Sequence, residues 1–147
     1  MQQVWRRRYR LVSSSDWCER VRVLLIEPDV VLKRAYGAGL RRAGHRVMSA
    51  VTAQQAVQAA DRHRPDVVVL NLELARHNGV EFLYVFKSYA EWRNVPVVLL
   101  VPRQYHDLAG LAVLREQLGV QQTLVLSQTT VVELCSAVSL VGRRTTA

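Results

Sequence analysis

From residue 21 onward, short apolar runs alternate with longer segments whose apolar residues recur every three or four positions. The runs are "VRVLLI" (21–26), the weaker "HRVMSA" (45–50), "DVVVLNL" (66–72), "VPVVLLV" (95–101) and "TLVL" (123–126). Runs of this length, rich in valine and leucine, predict strands buried on both faces. Between and after them the period becomes helical. In "VVLKRAYGAGLRRAG" (30–44) the residues Leu32, Ala35, Tyr36, Gly39, Leu40 and Ala43 share one face. Further helices are predicted in "AQQAVQAADRH" (53–63), "VEFLYVFKSYAEWR" (80–93), "YHDLAGLAVLREQLG" (105–119) and "TTVVELCSAVSLVGRR" (129–144).

The helix boundaries carry their own signals. Asp29 stands where a side-chain oxygen can accept the free amides of a first turn. Thr52 with Gln55, and Thr130 with Glu133, have the three-residue spacing of a capping box. Gly44 follows the first helix where a left-handed residue is wanted, and Pro65 prevents continuation of the second. Arg143 and Arg144 suit the negative end of the last helix dipole. Five buried strands alternating with five helices imply a parallel sheet covered by helices on both faces. Such sheets keep their functional crevice beyond the carboxyl ends of the strands. The strand "DVVVLNL" reaches that edge at Asn71.

Composition sets limits on this picture. A chain of 147 residues, half of them hydrophobic, suits one globular domain, and no apolar stretch is long enough to span a membrane as a helix. Its formal charge of +8 is almost wholly arginine, since Lys33 and Lys87 are its two lysines. That permits nucleic acid, anionic lipid or an acidic protein as partner without choosing among them. Cys18 and Cys135, like His45, His63, His77 and His106, show no metal-ligand spacing, so no metal or cofactor is expected.

Residues 1–20 read as a basic extension outside the domain, flexible to about the Ser13–Ser15 run, with residues 21–144 as the domain and 145–147 as a tail. The extension lacks the apolar core of a secretory signal, so a cytoplasmic location is expected.

Taken in order, "VRVLLIEPD", "LRRAGHRVMSAVTAQQAV", "RPDVVVLNLELARHNGVEFL", "NVPVVLLVP" and "LGVQQTLVL" resemble the receiver domain of two-component response regulators. The resemblance runs from about residue 21 to 144. It implies a flavodoxin-like, doubly wound five-stranded parallel sheet of order 2-1-3-4-5. It also implies a phosphoacceptor pocket. A receiver that accepts phosphate needs a carboxylate nucleophile, magnesium held by further carboxylates, a hydroxyl and a lysine, which together neutralise the transferring phosphoryl group.

Residue by residue, the resemblance places the phosphoacceptor on Asn71, and the acidic pair on Glu27 and Pro28, with Asp29 adjacent. The switch hydroxyl falls on Val101, followed by Pro102. The fifth-strand aromatic falls on Thr123, and the lysine on Leu126, with Ser127 after it. Glu73 takes a variable position at the edge of the site. One survivor among so many substitutions implies a degenerate pocket and no catalytic residue, so the chain is not expected to be an enzyme.

Three functions are then expected to compete. The first is a stand-alone pseudo-receiver acting by phosphate-independent protein–protein interaction or homodimerisation. Its face would be drawn from Leu108, Leu111, Leu114, Arg115, Thr123, Val125, Val132, Ser136 and Ser139, about half of which should prove to be core. The second is an atypical receiver, still in a phosphorelay, in which Glu27, Asp29 or Glu73 takes phosphate or metal. The third is nucleic-acid binding through Trp5, Arg6, Arg7, Arg8, Tyr9 and Arg10, with arginines on phosphates and rings on bases.

Overall fold

The computed structural model describes residues 21–74, 78–105 and 110–146. Five strands, β1 (Arg22–Ile26), β2 (Arg46–Ala50), β3 (Val67–Asn71), β4 (Val97–Val101) and β5 (Val120–Val125), form one sheet. All pairs are parallel and the order is β2-β1-β3-β4-β5, as the resemblance implied. The helices are α1 (Val30–Arg42), α2 (Ala53–Arg62), α3 (Gly79–Ser88), α4 (Gly110–Gln117) and α5 (Val131–Thr146).

Strand alternation divides the core into two layers. Leu24, Ile26, Val68, Leu70, Val97 and Leu99 point toward α2, α3 and α4, where Phe82, Leu83 and Phe86 meet them. Val23, Leu25, Val67, Val69, Val98 and Leu100 point toward α1 and α5, against Tyr36, Leu40, Leu134 and Val138. Every residue of β3 and β4 is buried. Each such aliphatic side chain contributes about 1.5–3 kcal/mol relative to exposure, which fixes the sheet's central strands.

The caps form as the spacing predicts. Asp29 Oδ1 accepts from the amides of Val31 and Leu32 at 2.9 and 3.2 Å. Thr130 Oγ1 accepts from the Glu133 amide at 3.1 Å while Glu133 Oε2 accepts from the Thr130 amide at 3.2 Å, a complete box. At α2 the Thr52 half is present, but Gln55 reaches back one residue further, to the Val51 amide. Gly44 has φ 98°, the left-handed value its place required.

Three boundaries differ from the pattern. The helical reading of 80–93 ends at Ser88, because Tyr89 turns extended and a short 3-10 turn, Ala90–Trp92, follows. That turn folds Trp92 back so that its ring stacks on Phe86 with centroids 4.8 Å apart. Strand β5 begins at Val120, ahead of the "TLVL" run, because it lies at the sheet edge, where Gln121 can face solvent. Helix α4, described from Gly110, ends at Gln117, two residues ahead of its pattern.

Candidate functional site

The register of β1 and β3 sets Ile26 opposite Leu70, so the next residues of both strands emerge side by side at the carboxyl edge. These are Glu27 and Asn71, which are 0% and 4% exposed. Asn71 Nδ2 donates to both carboxylate oxygens of Glu27, at 3.1 Å to Oε1 and 2.9 Å to Oε2. The amide oxygen of Asn71 accepts from the Glu73 backbone at 3.0 Å, which orients the amide with its N–H groups toward the carboxylate. Glu27 Oε1 also accepts from the Asp29 amide at 3.1 Å.

Burial pushes the Glu27 carboxyl above its usual range, an effect opposed by the Asp29 amide and the Asn71 side chain and reinforced by the Asp29 charge. The Tyr36 phenol is likewise raised, by burial first and then by the negative charge of Glu27. The Glu27 carboxyl is therefore held in the crevice by amide N–H groups.

This fold is matched by comparison with known proteins. The profile described as "Response regulator receiver domain" matches residues 23–130. The chain belongs to that receiver family. Among curated proteins, the KDP operon transcriptional regulatory protein KdpE of Escherichia coli is 32% identical over 81 residues, covering 55% of this chain and 35% of its own. The transcriptional regulatory protein PdtaR of Mycobacterium tuberculosis is 28% identical over 101 residues, covering 68% of this chain and 48% of its own. The receiver thus spans between about a third and a half of the length of these relatives. Chemotaxis response regulator CheY4 of Vibrio cholerae superposes with a TM-score of 0.72 at 18% identity, over 83% of this chain and 98% of that one. A receiver domain protein from Clostridium thermocellum gives 0.73 at 20% identity, covering 86% and 97%.

Family membership implies a magnesium ion in the crevice, and the donor set among the described residues does not fit one. Both Glu27 oxygens are engaged by Asn71, Pro28 offers no side-chain ligand, and Asp29 Oδ1 is committed to capping α1. Glu73 is exposed and reaches the crevice through its backbone amide. Among the described residues, no group of three His, Cys, Asp or Glu side chains is placed to hold a metal.

The remaining expected positions are apolar or unpaired. Val101 is fully buried and packs on the α2–α4 side. Leu126 is half-buried and packs on the α1 and α5 side, with its amide donating to Val101 O at 2.8 Å. Thr123 Oγ1 is buried without a hydrogen-bond partner.

The nine-residue interaction face separates into parts. Leu111 and Leu114 are core; Arg115 is exposed; Thr123 and Val125 are half-buried on the edge strand. Val132, Ser136 and Ser139 instead line a groove that α5 forms with α1, so they do not continue the α4–β5 surface. Leu108 lies outside the described residues, as do Trp5, Arg6, Arg7, Arg8, Tyr9 and Arg10.

Sequence reasoning missed Lys87. It is 7% exposed, and Nζ donates to the carbonyls of Arg93, at 3.2 Å, and of Val95. Burial, then the nearby Arg64 charge, lowers its pKa to about 8. The pairing of His45 Nε2 with Ser139 Oγ at 3.2 Å was equally invisible, since 94 residues separate the two.

Proposed function

We propose that this receiver is a pseudo-receiver: an interaction module of two-component signalling that works without taking phosphate. The observation that carries this reading is the Asn71 amide on both oxygens of Glu27. An aspartate in place of Asn71 would set two carboxylates about 3 Å apart, an arrangement that needs a proton or a cation to persist. The amide supplies donors in place of either, which supports a crevice that works without added charge. Leu126 and Val101 support the same reading, because neither offers the cation or the hydroxyl that phosphoryl transfer draws on. The module then acts through its surface, with Val113 and Arg115 of α4 and the edge strand β5 as its partner-facing part.

The test is incubation of the chain with acetyl phosphate and magnesium, read by intact mass. No phosphorylated species is expected, in contrast to a phosphate-accepting receiver run alongside. A phosphorylated mass mapped to Glu27, Asp29 or Glu73 would falsify the reading and establish the atypical receiver.

The arginine cluster at residues 6–10 supports nucleic acid as a second class of partner. That reading predicts binding which falls steeply with salt and is lost when those arginines are changed to glutamine.

A further inference from the structure

Helices α1 and α5 do not close on each other along their outer side. Gly39 sits so near α5 that a Cβ there would lie 2.1 Å from Val131 Cγ1, yet beside this contact a groove of about 730 Å³ opens. Its lining includes Val131, Val132, Cys135 and Leu140 from α5, and Arg42 from the last turn of α1. Val132 is 74% exposed. The groove is open and mostly apolar, so it can receive an occupant.

The point where the chain enters the domain identifies one. Val21 packs against Gly142 of α5, where an added Cβ would meet Val21 Cγ1 at 2.8 Å. Gly142 continues the row Val131, Cys135 and Ser139 on one side of α5. The chain ahead of Val21 therefore starts at one end of the groove. Cys135 is seven residues from Gly142, about 10 Å along the helix. Trp17 is four residues ahead of Val21, a reach of about 13 Å if extended. The charges also match: Asp16 and Glu19, the two acids of residues 1–20, flank Trp17, while the groove rim carries Arg42 beside Arg41.

We propose that the segment 16–19 docks in the α1–α5 groove, with the Trp17 indole over Cys135 and an acid on Arg42. The occupant is the chain's own leader, and a second copy or an external peptide is the competing outcome. This inference stands independently of the crevice chemistry.

Cys135 is a built-in reporter, and Cys18 is resolved from it by peptide mass. The full chain is alkylated with iodoacetamide under native conditions, and the rate at Cys135 is compared between wild type and Trp17→Ser. At least fivefold faster labelling in the variant is expected, at a rate independent of protein concentration, with unchanged circular dichroism. Arg42→Glu should also accelerate labelling, and Asp16→Arg with Glu19→Arg in that background should restore protection. Equal rates in wild type and Trp17→Ser overturn the proposal. Protection that grows with protein concentration overturns it too and assigns the groove to a second copy.

Discussion

Two ionisable side chains are buried at opposite ends of one sheet, and they are handled alike. Glu27 lies where β1 and β3 end; Lys87 lies where β4 and β5 begin, beside Gly119 and Val95. Neither depends on an opposite charge in these contacts. Glu27 is held by amide N–H groups and Lys87 by backbone carbonyls. At the carboxyl edge, where such folds keep their chemistry, this solution engages both oxygens of Glu27 with amide donors. At the amino edge the same solution ties the end of α3 to the approach of β4. The comparison teaches that a buried charge is not itself a functional signal, and that the partners decide.

Asn71→Asp breaks the comparison most severely. It replaces the amide donors by a second carboxylate against Glu27, at a cost of roughly 3 kcal/mol at neutral pH, the scale of an uncompensated buried charge. Urea unfolding should show the loss shrinking on acidification, as the pair takes up a proton. Next is Gly119→Ala. Gly119 has φ 69°, and a Cβ there would approach Lys87 Nζ at 3.1 Å. Backbone strain and displacement of the amine together should cost about 2 kcal/mol in the same assay.

Lys87→Met removes the amine and leaves two carbonyls without it, with an expected loss of about 1–2 kcal/mol at pH 7. Its pH signature separates it from a packing defect. The folded-state value of about 8 lies below the ordinary 10.5, so folding favours the neutral amine. The corresponding stability is fully present above 10.5 and is lost as pH falls through about 8. Wild type should gain stability across that interval and the methionine variant should lack the gain.

The smallest effect is expected for Glu27→Gln, about 1 kcal/mol, because a glutamine amide would face the Asn71 amide donor to donor. Here the sign reverses. The Glu27 pKa is raised above 4.5, so its contribution is fully present below 4.5 and is lost as pH rises through the folded value. Wild type should gain on the variant as pH falls toward 4.5.

Much of the architecture was legible because it rests on local chemistry. The valine run of β3, the Asp29 and Thr130 caps and the Gly44 turn each state their conformation within a few residues. The strand order was not; it came from the resemblance, since nothing in a strand names its neighbour. At the site, Glu27 and Asn71 were legible as positions, but their mutual hydrogen bond depends on a register across 44 residues. Lys87 was unreadable for the same reason. A lysine closing an amphipathic helix looks solvated until β5 brings Gly119 against it. The placing of Val132, Ser136 and Ser139 toward α1 followed from how α5 crosses Gly39, a close approach that periodicity does not encode.

The Lys87 clamp gives this protein a natural stopwatch for local opening. Of the two lysines, Lys33 is half-buried on α1 and Lys87 is buried beside Gly119, so an acylating reagent reaches the Lys33 side chain first and Lys87 only when that corner of the fold lets go. The slow reaction times how often the corner opens, without any engineered probe.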